Sequence, residues 1–166
     1  MSLLSKTCTA AVLFAAASIA VGYLKGAGAQ ASGPGIADIP AGYLAQYRAA
    51  GDTCPNLDWA LLAGIGKVET NHGRLRAAGV RSGANSAGAK GPMQFLTPTF
   101  NAVRARHRGI GSDIYDPDDA IPAAAHYLCD SGLAAGNEWQ AIYAYNHAGW
   151  YVAKVQAQAA AYRRSA

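Results

Sequence analysis

The chain has 166 residues with a formal net charge of +4, a length that fits one domain behind an N-terminal export segment. Without Lys6 and Lys25, which lie in that segment, 12 basic and 10 acidic residues remain, a net of +2. So mild a charge gives no argument for nucleic-acid binding, though it suits contact with an anionic polymer.

In chain order, the first element is the apolar run TCTAAVLFAAASIAVGYL after Lys6. With Ala29-Gln30-Ala31 as a small-residue cleavage site, residues 1–31 read as a signal peptide. The run is also about long enough for an uncleaved signal anchor. Both readings put the domain outside the cytoplasm, with membrane contact only through this segment. Residues 32–42, rich in Gly, Pro and Ala, read as a linker, which leaves 43–166 as the domain. Cys8 lacks the small-residue context of a lipidation site, so Cys54 and Cys129 form a lone pair. In an exported domain such a pair is expected to be a disulfide. Neither cysteine has a Cys or His at finger spacing, so zinc is not expected.

From residue 40 onward the periodicity is helical, with no convincing alternating strand run, and the fold class is all-α. A first helix runs from Pro40 to Ala50. Asn56 or Asp58 can cap a second helix reaching Asn71, with Gly73 as terminator. Thr97-Pro98 and Asp116-Pro117 each read as a cap followed by proline at the first helical position. Pro122 lies within the second of these helices and is expected to kink it. The segments NEWQAIYAYN and GWYVAKVQAQAAAYRR form the last two, around a turn at 147–149. Residues 73–91 make a long loop of the kind that is functional or disordered.

The chain holds two glutamates, Glu69 and Glu138. Leu62, Ile65 and Glu69 fall at i, i+3 and i+7, so Glu69 shares an apolar face and ends its helix. Burial and the negative end of the helix dipole both raise a carboxyl pKa. A carboxylic acid kept protonated near neutral pH can serve as a general acid. The competing reading is a helix-end ion pair with Lys67, Arg74 or Arg76.

The stretches KVETNHGR, AGAKGPMQFLTPTF and AIYAYNHAG, in this order, resemble the soluble lytic transglycosylase family of bacterial cell-wall enzymes. The resemblance spans roughly residues 54–150 and implies a lysozyme-like fold. It implies Glu69 as catalytic acid/base, followed by Thr70. It also implies Gly91, Met93 and Gln94 as a motif whose Met and Gln line the sugar groove. Tyr145 and Asn146 match a third motif, where the tyrosine hydroxyl contacts the catalytic carboxyl and the asparagine shapes the site. Pro92 stands where the family has leucine, and the loop before it is longer. A serine that supports the acid would align on Asn85, with Ser86 beside it.

Gln94 and Asn146 carry both donors and acceptors, which suits sugar hydroxyls and acetamides. Tyr145, Trp150 and Tyr151 offer ring faces to a sugar. Core packing is preferred for Trp150 and Tyr151 and equally open for Tyr145, while Trp59 and Trp139 read as core. His72 and His147 read as helix-end caps. Arg74, Arg76, Arg81 and Lys90 read as a solvated loop, or as contacts for stem-peptide carboxylates.

The resemblance implies cleavage of peptidoglycan glycan strands between MurNAc and GlcNAc by one carboxyl, without metal or cofactor, giving a 1,6-anhydro sugar. The expected protein is a monomer. Two rival readings stay open. A hydrolytic muramidase would need a second carboxylate, for which Asp113 is the candidate, since Asp116, Asp118 and Asp119 read as a cap and first turn. A non-catalytic glycan-binding module would not need a buried acid.

Overall fold

The computed structural model describes residues 35–166. Residues 1–34, with the expected signal segment, its cleavage site and Cys8, lie outside the described residues. The described chain is mainly helical, as its periodicity predicts. Its helices are α1 (Ala41–Ala50), α2 (Trp59–Thr70), α3 (Thr97–Arg106), α4 (Pro117–Asp130), α5 (Glu138–Tyr145) and α6 (Gly149–Arg164).

The centre of the core is α2. Asp58 caps it by accepting a hydrogen bond from the Leu61 amide at 2.9 Å, which satisfies one orphan donor. Residues Ala60 through Gly66 are all buried, so this helix has no solvated face over nearly two turns. Its main partner is α6, running antiparallel. Asp58 pairs with Arg163 at one end (2.7 Å), and Glu69 meets Tyr151 at the other. Gly64 permits the close approach, because a Cβ there would lie 2.9 Å from the Val155 carbonyl oxygen. Leu61, Leu62, Ile65, Ile121, Leu128, Ile142 and Val155 complete the interior.

The caps hold in part. Asp116 accepts from Asp118 and opens α4 as expected, and α4 continues through Pro122 without a break. Asn137 caps α5 through the Gln140 amide. Thr97 is not a cap: Leu96 holds that place, with no side-chain bond, and Thr97 is already helical. The Cys54–Cys129 disulfide joins the α1–α2 connection to the end of α4.

Two features depart from the reading of the sequence. A pair of two-residue strands, β1 (Ala89–Lys90) and β2 (Phe95–Leu96), forms an antiparallel hairpin with Ala89 opposite Leu96. Strands this short show no alternation. The segment expected as linker is also docked where it is described: Ile36–Asp38 form a 3-10 turn, and Asp38 pairs with Lys67 (2.6 Å) and Arg74 (3.1 Å).

The long loop is closed on itself. Asn85 Oδ1 accepts from the Ala87 and Ala89 amides at 2.8 and 3.0 Å, and the Gly91 amide donates to the Gly79 carbonyl at 2.7 Å. Gly91 has φ +77, and a Cβ there would collide with the Ile114 carbonyl, so only glycine fits. The turn Gly91–Gln94 is closed by the Gln94 amide donating to Gly91 (3.1 Å). Pro92 occupies the second place of that turn, where its fixed φ is favoured. The turn therefore accommodates proline where the resembled family has leucine.

Candidate active site

After Thr70, Asn71, His72 and Gly73 all take positive φ (53°, 57° and 71°), which stops α2 abruptly and turns the chain back. Glu69 is left in the last turn, partly exposed as a residue but with its carboxyl turned into the protein. Thr70 fixes this end to the hairpin: its hydroxyl donates to the Pro92 carbonyl at 2.6 Å and accepts from the Gly73 amide at 2.8 Å. The motifs at 69–70 and 91–94 are thus joined by one buried side chain.

The Glu69 carboxyl has a pKa raised to about 8. Burial drives it up; the Tyr151 hydroxyl, donating to Oε1 at 2.6 Å, and the charge of Lys154 pull it partly back. The ion-pair reading fails for two of its three partners, since Lys67 and Arg74 both bind Asp38. Asp113 Oδ1 accepts from the Tyr115 amide at 2.9 Å, and its own amide donates to Asp119 at 2.8 Å, so it braces the turn before α4.

The tyrosine expected to touch the acid is displaced by another. Tyr145 donates its hydroxyl to the Met93 carbonyl at 2.8 Å, while the bond to Glu69 comes from Tyr151. Tyr151 had been read as core, and it is 1% exposed, yet its hydroxyl reaches the acid. Its place on α6 explains why: with α2 and α6 antiparallel, the first turn of α6 faces the last turn of α2. Tyr151, Val155 and Ala159 form an i, i+4, i+8 core stripe that hides the polar end of the first member.

Met93 and Gln94 sit beneath this surface. Met93 is fully buried. The Gln94 amide donates to the Gly91 and Gly79 carbonyls at 2.8 and 3.3 Å and accepts from Asn85 at 3.1 Å. It is a bracket for the hairpin, with its hydrogen-bonding capacity largely spent inside the protein. Asn85 is bound up in the same bracket and makes no hydrogen bond to Glu69; Ser86 is exposed. Asn146, 7% exposed, makes no side-chain hydrogen bond among the described residues, so its amide stays available.

A small hollow lies beside Gln94 and Tyr145, completed by Phe95, Leu96, Thr99 and Tyr127. The Thr99 hydroxyl is buried there without a partner among the described residues. Nothing in the sequence singles out Thr99, which reads as an ordinary residue of the first turn of α3.

Several surface readings change. Trp139 and Trp150 are not core but 50% and 56% exposed. Trp59 is half-buried under the Arg48 guanidinium, 5.7 Å from its ring centre. His72 is no cap: it is buried between the Tyr47 and Tyr162 hydroxyls at 3.0 and 2.9 Å. Burial lowers its pKa to about 4. His147 is exposed beside Tyr143. Arg76 and Arg81 are exposed and Lys90 is half-buried.

Among the described residues, no group of three or more His, Cys, Asp or Glu is placed to hold a metal ion. No helix there is long and apolar enough to cross a membrane. A family model described as "Transglycosylase SLT domain" matches residues 47–166. No curated protein and no solved structure matches the chain significantly.

Proposed function

Because the chain belongs to the transglycosylase SLT domain family, whose fold is lysozyme-like and whose substrate is peptidoglycan, we propose that it cleaves the MurNAc–GlcNAc bond without water. The observation that carries this reading is Glu69: a carboxyl with pKa about 8, held by Tyr151 and without a carboxylate among the causes of its shift. Such a group is protonated at neutral pH and is ready to act as an acid.

Glu69 donates its proton to the glycosidic oxygen as the bond from that oxygen to C1 breaks. The substrate's own acetamido oxygen bonds to C1 and carries the positive charge, the task a second carboxylate performs in most glycosidases. The Glu69 carboxylate then takes the proton of the C6 hydroxyl, whose oxygen attacks C1 and releases the acetamide. The product is a 1,6-anhydro sugar, and Glu69 ends protonated as it began. Asn146 carries an amide left free for sugar substituents among the described residues. Export by residues 1–31, action in the cell envelope and a monomeric state belong to the same proposal.

Digestion of purified peptidoglycan with mass analysis of the fragments tests it. Anhydromuramic ends are expected, and Glu69→Gln is expected to abolish their release while leaving the protein folded. Reducing ends, one water heavier, would make the protein a hydrolase. Intact glycan would leave the reading of a binding module.

A further inference from the structure

Among the described residues, three large apolar side chains are exposed: Leu75, Trp139 and Trp150. Both tryptophans belong to the α5–α6 corner that also carries Asn146 and Tyr151. On α5, Ala141, Ile142 and Tyr145 face the core, while Trp139 and Tyr143 fall at i and i+4 on another flank, and His147 lies in the turn after the helix. The Trp139 and Tyr143 rings are stacked, 4.8 Å between centres and 12° between planes. His147 meets Tyr143 edge-on at 5.4 Å. Glu138, the acidic neighbour of Trp139, accepts from Gln156 at 3.0 Å, so it is drawn toward α6.

Resting on the peptidoglycan reading above, we infer that Trp139 and Tyr143 form a second glycan-binding platform. It carries a glycan strand beyond the sugars that Glu69 cleaves. From Trp139 to Tyr143 the stripe spans about 6 Å at the helical rise, and His147 follows in the turn beyond α5. Asn146 beside it has a free amide, and Trp150 stands edge-on to Tyr151 at 6.0 Å, next to the acid. A pyranose presents a flat face of C–H bonds, and a held aromatic ring offers the matching apolar surface at little entropic cost. Stacking on each other fixes the Trp139 and Tyr143 rings before a sugar arrives.

Size favours a sugar over a protein. A half-exposed aromatic side chain presents roughly 100 Å², so Trp139 and Tyr143 together present at most on the order of 200 Å². A stable protein interface buries about 800 Å² on each partner. A stripe one ring wide is enough for a strand of sugars and too small for a protein partner.

The test measures binding in the Glu69→Gln background, where no cleavage intervenes, with chitin hexasaccharide and insoluble peptidoglycan as probes. Trp139→Ala and Tyr143→Ala are each expected to weaken binding about tenfold, the loss of one aromatic face. Trp139→Phe is expected to retain most of the affinity. The loss is expected to shrink for chitin disaccharide, and Gln140→Ala on the neighbouring face is expected to bind as the parent does. Equal binding by Trp139→Ala and the parent overturns the platform, as does a parent that binds neither probe. A protein partner lost by Trp139→Ala while glycan binding stays unchanged overturns it as well. The reaction itself is scored separately from the fragments the unmodified protein releases. Trp139-dependent binding without anhydro products would keep the platform and remove the transglycosylase reading.

Discussion

Glu69 keeps its proton through neutral pH, so kcat/KM is expected to be flat up to about pH 8 and to fall above it as the acid is lost. Tyr151 is a positioning residue for that proton. Its hydrogen bond lowers the Glu69 pKa, so Tyr151→Phe moves the alkaline limb to higher pH while turnover falls roughly 10-fold or more. A merely structural tyrosine would lower stability and leave the limb in place; a pH–rate profile separates the two. The same carboxyl sets a stability trend. Its folded pKa exceeds the ordinary value of 4.5, so its cost is absent below that value and grows as pH rises toward 8. Glu69→Gln should match the wild type near pH 4 and be more stable at pH 8, by about 1–3 kcal/mol after allowing for partial exposure. Glu69 was legible because one polar residue closes an apolar face. Tyr151 was not, because a tyrosine buries its ring like any apolar side chain and periodicity does not report where the hydroxyl ends. Trp139 and Trp150 mislead in the opposite sense, as large aromatics that the fold leaves outside.

Helices α2 and α4 were readable from Asp58 and Asp116, since capping chemistry is local. The hairpin was not: two-residue strands carry no period, and their pairing depends on Gly91 and the buried Gln94 amide. Thr70 couples that hairpin to the helix bearing the acid. Thr70→Val removes the bond to Pro92 and leaves a buried carbonyl unpaired, at a cost of about 1–3 kcal/mol. Both stability and turnover are expected to drop, as read by chemical denaturation and peptidoglycan release. The disulfide pairing was also legible, because the domain had no other cysteine to offer. It closes a separation of 75 residues, worth up to roughly 4 kcal/mol on chain-entropy grounds. Reduction is expected to lower Tm clearly, and an unchanged Tm would show that the link contributes nothing.

Across the whole molecule, His72 ties α1 to α6 through Tyr47 and Tyr162, and Asp38 adds the entering chain through Lys67 and Arg74. His72 has a folded pKa of about 4 against an ordinary value of 6.5. Its contribution is therefore complete above pH 6.5 and lost as pH falls toward 4. Stability should decline across that window, and the His72 ring, followed by NMR, should stay neutral until well below pH 6. Ring signals titrating near 6.5 would mean that the network opens in solution. None of this could be read from a histidine at a helix end, because its partners lie 25 and 90 residues away. The antiparallel pairing of α2 and α6 also fixes where the chain can be handled. Ile36 bonds to Ser165 at 3.1 Å, so both ends of the described chain meet at one pole. Tyr151 and the acid lie about 21 Å along α6 from there. A short peptide splicing the two ends, as in circular permutation, or a bulky label at Ala166 would leave the acid unobstructed.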